Sequence, residues 1–309
     1  MKNSFKLPNP LSLNSGIGLV NPAGIVSSAK LKRAIKIIKG AGFKRIFYNK
    51  KLKPYRFFSG SDNKRIEDFN LILQEKNINL IFSIRGGYGS IRIIEGVDFE
   101  EIIKKKIIFC GYSDISIFHS TLFKMRKLIT FYGPMPGVDF TMKSKLKVKK
   151  LFSIFSNLGS QNLTYKIDNP NVPNFKPVTG TAFANCLSIL QTSIGTRYQP
   201  NLEGTILFLE DINEEPYSIE RMLMHLYHSK LLKGVKLIVF NLKGPGERSV
   251  ELKETLLDFE QIAGIHVLTG FKFGHKNPFN LIPIGANCTV INKGNKIIID
   301  FNLRNEGVK

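Results

Sequence analysis

Ile107-Ile108-Phe109-Cys110-Gly111-Tyr112-Ser113-Asp114, continued by Ile115-Ser116-Ile117-Phe118-His119, is the stretch on which the fold of this 309-residue chain turns. An apolar run, a tight turn carrying a serine and a second apolar run with helical spacing predict a buried strand, an elbow and a helix. A serine at such a junction can be lifted out of the fold beside the free N–H groups of a helix start, which suits a nucleophile. The same residue also reads as a helix N-cap. Gly111 stands two before the serine, but Ile115 rather than a glycine stands two after it.

Outward from the elbow, strands and helices alternate. Apolar strands are expected at 17–20, 43–48, 78–84, 107–110 and 128–132, and helices at 27–39 and 62–76. This alternation predicts a mainly parallel sheet covered by helices on both faces. The loops at the carboxyl ends of such strands build the site. Asn21-Pro22-Ala23-Gly24, Arg85-Gly86-Gly87-Tyr88-Gly89 and the elbow all occupy such ends. A basic stretch at 141–150 and an Asn/Pro-rich stretch at 157–177 read as the crossing to a second half. There, helices are expected at 185–194 and 216–231, strands at 205–209, 235–240 and 265–268, and a terminal hairpin around Asn292-Lys293-Gly294-Asn295.

Composition narrows the function. Hydrophobic residues make up 43% and charged residues 22%, as in globular proteins. The first fifteen residues, broken by Pro8 and Pro10, lack an apolar segment of signal-peptide length, and no run of about 18 apolar residues occurs. The cytoplasm is therefore the expected compartment. Cys110, Cys186 and Cys288 are too scattered for a disulfide framework or a zinc site, so no metal or cofactor is expected. The net charge of +21 accompanies lysines spread along the chain, with no zinc-finger spacing or RNP-type signature. It reads as compositional drift and a solvated basic surface, attractive to acidic substrates.

Among the five histidines, His119, His225 and His228 fall in expected helices and His266 in an apolar strand, where packing explains them. His275 lies in the glycine-flanked loop Gly270-Phe271-Lys272-Phe273-Gly274-His275, a place where function is commoner. Glu210 ends an apolar strand, with Asp211 next; a carboxylate there can receive a histidine N–H. Serine, histidine and acid together compose acyl-transfer chemistry. Oxyanion donors are available from Asp114 N–H and from Gly86 or Gly87.

These segments together resemble the LD-carboxypeptidase family of serine peptidases, which includes muropeptide-recycling enzymes and microcin-immunity peptidases. The resemblance is carried by Arg85-Gly86-Gly87-Tyr88-Gly89, Gly111-Tyr112-Ser113-Asp114, Tyr132-Gly133-Pro134-Met135, Asn185, Phe208-Leu209-Glu210-Asp211, Pro216 to Leu223, Gly274-His275 and Leu281 to Gly285, in family order. It implies an α/β fold. An N-terminal parallel-sheet domain (1–155) would bear the nucleophile elbow. A linker (156–178) would lead to a smaller C-terminal α/β domain (179–309) bearing the Glu and His. It implies a Ser113, Glu210, His275 triad, and an oxyanion hole from Asp114 and Gly86 N–H groups. Arg85, Gly87, Tyr88 and Asn185 become substrate-binding candidates.

The substrate implied is a murein tetrapeptide losing its terminal D-Ala, the state a homodimer, and neither nucleic acid nor membrane a partner. Phe183-Ala184 stands where the family has two glycines, a change expected to narrow or reshape the cleft. The microcin-immunity branch, which cleaves peptidyl-nucleotide amides, stacks a nucleobase on a tryptophan, and this chain has no Trp. That branch is the first alternative. A non-enzymatic basic nucleic-acid-binding protein is the second.

Overall fold

The computed structural model describes residues 5–49, 53–168 and 175–304. Part of the expected linker, 169–174, lies outside them. The first half contains β1 (Gly16–Val20), α1 (Ser28–Gly40), β2 (Ile46–Tyr48), α2 (Asp62–Leu73), β3 (Ile78–Ser83), α3 (Ser90–Ile93), α4 (Phe99–Lys104) and β4 (Ile108–Gly111). A single 3-10 turn, Ser113–Ile115, leads into α5 (Ser116–Met125), followed by β5 (Thr130–Tyr132), α6 (Pro136–Asp139) and α7 (Lys145–Ser156).

The second half contains β6 (Leu163–Asp168), β7 (Val178–Cys186), α8 (Leu187–Thr192), β8 (Thr205–Ile212), α9 (Pro216–His228), β9 (Leu237–Lys243) and α10 (Val250–Ala263). β10 (Val267–Leu268), β11 (Ile282–Ile284), β12 (Asn287–Lys293) and β13 (Lys296–Asn302) complete the described chain.

Two sheets result, ordered β11-β5-β4-β3-β1-β2 and β10-β9-β8-β7-β12-β13-β6. Strands β2, β1, β3, β4 and β5 run parallel, as expected from the alternation. β1 and β4 are buried along their whole length, which is why they read as unbroken apolar runs. Ser27 and Ser61 cap α1 and α2, each accepting an N–H from the residue three on. α1 turns Leu31, Ala34, Ile37 and Ile38 into the core.

The second sheet is mixed. β7 to β10 are parallel, whereas β12, β13 and β6 form an antiparallel flank that includes the expected terminal hairpin.

The structure adds detail at the joint between the two halves and corrects one expectation. The stretch read as a domain crossing holds α7, whose Val148, Leu151, Phe152 and Phe155 are buried, and β6, which pairs with β13. Lys145, Lys147, Lys149 and Lys150 interrupt the apolar pattern of α7. The boundary at 179 is also crossed in the other direction. β11 leaves the second half and pairs antiparallel with β5, closing the edge of the first sheet. Three residues with a central proline carry little strand signal, and Pro283 is tolerated there because the strand lies at an edge. Asn185 lies near the end of β7 rather than in a helix, since pairing with β8 carries the strand on to Cys186.

Candidate active site

The elbow forms because Gly111 ends β4, Tyr112 is extended, and Ser113 turns at φ +64° before α5 begins. A left-handed backbone is unfavourable for a residue with a β-carbon and persists only where the surroundings hold it. Here the hold is visible. His119, one turn into α5, is fully buried; it lies 3.0 Å through Nε2 from Gly111 O and 2.8 Å through Nδ1 from Thr130 Oγ1. Because the carbonyl only accepts, Nε2 carries the proton and Nδ1 accepts the threonine hydroxyl. The Asp114 carboxylate turns the other way and accepts Ser90 N–H at 2.9 Å, tying the elbow to the Arg85–Gly89 loop.

Burial holds His119 neutral and lowers its pKa to about 4. The unfolded chain therefore binds this proton first, near the ordinary value of about 6.5. The resulting stability is full above that pH and is lost as pH falls through 4. A loss of about 3 kcal/mol across that window is expected in denaturant titrations, and His119→Gln should flatten it.

Gly86 faces the serine. A β-carbon on it would lie 3.0 Å from Ser113 Cβ, 3.1 Å from Oγ and 3.4 Å from Asp114 N. Its carbonyl is held by Gly24 N–H at 3.0 Å. The glycine thus leaves open the space shared by the serine oxygen and the Asp114 N–H, where an oxyanion would sit.

Glu210, in β8, is fully buried. It accepts His275 Nδ1–H at 2.8 and 3.0 Å, His275 backbone N–H at 3.3 Å, and Tyr132 O–H at 2.6 Å. A carboxylate only accepts, so His275 keeps its proton on Nδ1 and presents a bare Nε2. Gly274 makes this contact feasible: its φ is +55°, and a β-carbon there would fall 2.6 Å from Glu210 Cδ. Gly274→Ala is expected to push the carboxylate off the histidine and slow turnover about 100-fold. Steady-state kinetics alongside a melting curve separates that displacement from unfolding.

The structure brings the acid and the histidine into direct contact and links them through Tyr132 to the Ser113 backbone. The Tyr112 ring stands edge-on to the His275 ring, with centroids 5.0 Å apart. The Tyr132 hydroxyl, besides donating to Glu210, accepts Ser113 N–H at 3.4 Å. Among the described residues no hydrogen bond joins Ser113 Oγ to His275; in ligand-free sites this bond is often open and tightens around substrate.

Tyr132 is a part of the site to which the sequence alone assigns no role. Its signals are its place at the end of β5, beside the elbow strand, and its membership of the Tyr132-Gly133-Pro134-Met135 segment. Asp139 likewise carries no sequence signal. It accepts Met135 N–H at 2.8 Å, lies 3.4 Å from the Tyr112 hydroxyl, and burial lifts its pKa to about 6.

The remaining candidates divide. Arg85 is exposed and donates to Ile25 O at 2.7 Å. Gly87 lies against Gly24, and Tyr88 is half exposed. Asn185 is fully buried: its amide donates to Ser120 Oγ and Ser116 O, fastening β7 to α5. Phe183 is likewise buried, 4.7 Å from Phe123, and packs at the joint between the two sheets. His266, expected in the core, is exposed and bonded to Glu260, because β10 is a two-residue edge strand. Among the described residues no group of three or more His, Cys, Asp or Glu could hold a metal ion, and no helix is long and apolar enough to cross a membrane.

Comparison with known proteins agrees with this architecture. Residues 17–133 match the LD-carboxypeptidase N-terminal domain and residues 179–290 the LD-carboxypeptidase C-terminal domain. The chain is 30% identical to a probable murein peptide carboxypeptidase of Bacillus subtilis over 100% of both chains. It is 26% identical to the microcin C7 self-immunity protein of Escherichia coli, covering 97% of this chain and 94% of that one. A muramoyltetrapeptide carboxypeptidase crystal structure from Oxalobacter formigenes superposes with a TM-score of 0.81 at 27% identity, covering 94% of this chain and 100% of that one. With both domain types matched in order and a full-length relative at this identity, the chain belongs to the LD-carboxypeptidase family of serine peptidases.

Proposed function

We propose that this protein is a serine LD-carboxypeptidase that releases terminal D-Ala from murein tetrapeptides. The observation that carries the reading is the buried Glu210–His275 pair, bonded at 2.8 Å and linked through the Tyr132 hydroxyl to a serine held at φ +64°. In the proposed cycle, His275 Nε2 takes the Ser113 proton as Oγ attacks the carbonyl carbon of the L,D bond. Glu210 holds the imidazole and stabilises the imidazolium. The oxyanion forms toward the Asp114 and Gly86 N–H groups. His275 then returns the proton to the D-Ala amine, which leaves, and activates a water that hydrolyses the acyl-enzyme.

The relatives named for murein peptides support this substrate, as does a basic field suited to a peptide with several carboxylates. The same reading makes the protein a cytoplasmic homodimer of wall-peptide recycling that needs no cofactor.

The test is D-Ala release from L-Ala-γ-D-Glu-meso-diaminopimelyl-D-Ala, with Ser113→Ala alongside. Release by the wild type alone is expected. A folded wild type that leaves this peptide intact but cleaves a peptidyl-nucleotide amide overturns the murein assignment.

A further inference from the structure

Among the described residues four aromatic side chains stand well exposed, and three of them, Tyr55, Phe57 and Tyr88, lie together at 53%, 49% and 50% exposure. Clustered exposed rings in a chain that buries most of its aromatics call for a partner.

The cluster is built rather than incidental. Tyr55 and Phe58 exchange two backbone hydrogen bonds, of 3.2 and 2.9 Å, closing a tight turn that projects Arg56 and Phe57. The turn is pinned to the loop after β1, because Ser59 N–H donates to Ala23 O and Ser59 Oγ to Asn21 O. Phe58 is buried beneath, 4.3 Å from Phe57 and 5.8 Å from Tyr88 between ring centroids. The Arg65 guanidinium lies 4.7 Å under Phe58 and donates to Gly89 O. The Phe57 and Tyr88 rings and the Tyr55 backbone are thus held before any ligand arrives, which reduces the ordering cost of binding.

The cluster also adjoins the chemistry. Tyr88 belongs to the loop whose Gly86 faces Ser113, and two residues of chain place its α-carbon within about 7 Å of Gly86. Arg56, with its guanidinium 4.9 Å from the Phe57 ring, and Arg85 form no ion pair with a carboxylate among the described residues. Arg92, by contrast, is committed to Asp62 at 2.6 Å.

Resting on the murein-peptide reading above, we propose that Tyr55, Phe57 and Tyr88 form a subsite for the sugar ring of a sugar-linked peptide, with Arg56 and Arg85 receiving carboxylates of the peptide between sugar and scissile bond. The Phe57 ring meets Tyr88 at 44° and the buried Phe58 at 54°, and Phe58 meets Tyr88 at 38°. They make a stepped ledge, with no pair of parallel faces to sandwich a flat nucleobase. A pyranose lays its C–H face on one ring at a time, and the tyrosine hydroxyls leave its polar groups wet. A further Tyr–Arg pair stands on the second half. Tyr217, 67% exposed, has the Arg221 guanidinium 5.7 Å from its ring, on the helix that follows the Glu210 strand.

The experiment compares kcat/KM for the free tetrapeptide with that for the same peptide carried on N-acetylmuramic acid. The wild type is expected to prefer the sugar-linked form at least tenfold. Tyr55→Ala/Phe57→Ala should bring the ratio near one, and Arg56→Gln should lower it about threefold. Equal kcat/KM values in the wild type, or a preference that survives the double substitution, overturn the subsite. If neither peptide is cleaved, the murein reading has failed and the ledge is judged by calorimetry on Ser113→Ala. Tighter binding of the muramyl peptide than of the free peptide then supports it. Equal binding, or stronger binding of a nucleotide, overturns it.

Discussion

Ser113→Gly is expected to abolish turnover and, at the same time, to make the protein harder to unfold. Turnover should slow by about 10⁴-fold or more, the range for removing a nucleophile that acts in concert with its base. The gain arises from the backbone. Ser113 sits at φ +64°, where a β-carbon costs about 1 kcal/mol and glycine sits without strain. The side chain contributes little to offset that cost, since among the described residues its Oγ has no hydrogen-bond partner. Ser113→Ala is the control: it removes the oxygen and keeps the strain, so its activity should be equally low and its stability close to wild type. A midpoint shift in denaturant of about 1 kcal/mol between the two variants reads the strain directly. If glycine proves no more stable than alanine, the elbow is not storing energy. If either variant keeps more than a hundredth of wild-type turnover, Ser113 is not the nucleophile.

The elbow is legible in the sequence because strand, turn and helix each leave a local pattern, and because β4 is buried on both faces and so reads as unbroken apolar sequence. Glu210 and His275 are legible singly, one as a carboxylate closing an apolar strand and the other as a histidine in a glycine-flanked loop. That they touch depends on the chain folding back across a separation of 65 in residue number and on the space left at Gly274.

The role of Tyr132 is illegible for a similar reason, although its segment carries part of the resemblance. Its hydroxyl reaches Glu210 only because β5 lies beside β4 and the second sheet docks against α5. Asn185 reads as helical because a single polar residue among Phe183, Ala184, Cys186 and Leu187 carries no period, and the pairing with β8 decides the matter. Local pattern thus locates the elements and the reactive side chains, whereas their mutual support rests on contacts between distant segments.

Glu210→Gln offers the sharpest test of that mutual support, and it is expected to slow turnover by about three to four orders of magnitude. The replacement is isosteric, so the effect is one of hydrogen-bond polarity. In the wild type both carboxylate oxygens accept: one from Tyr132 O–H, and both from His275. A glutamine has one accepting face. With its oxygen toward Tyr132, its NH2 meets the two His275 donors, and the imidazole must move its proton to Nε2, the atom that receives the serine proton in the proposed cycle. With its oxygen toward His275, its NH2 meets the Tyr132 hydroxyl, which must then turn its own proton elsewhere and loosen its hold on Ser113 N–H.

The tyrosine decides between these arrangements, so the two substitutions should be coupled. Tyr132→Phe alone is expected to slow turnover about tenfold. In Tyr132→Phe/Glu210→Gln the amide oxygen is free to face His275, and the double variant should be about tenfold faster than Glu210→Gln, at lower stability because an amide N–H is left buried without a partner. Simple additivity of the two losses would mean that Tyr132 and His275 do not compete for the same carboxylate. A Glu210→Gln enzyme retaining a tenth of wild-type turnover would remove Glu210 from the proton path altogether.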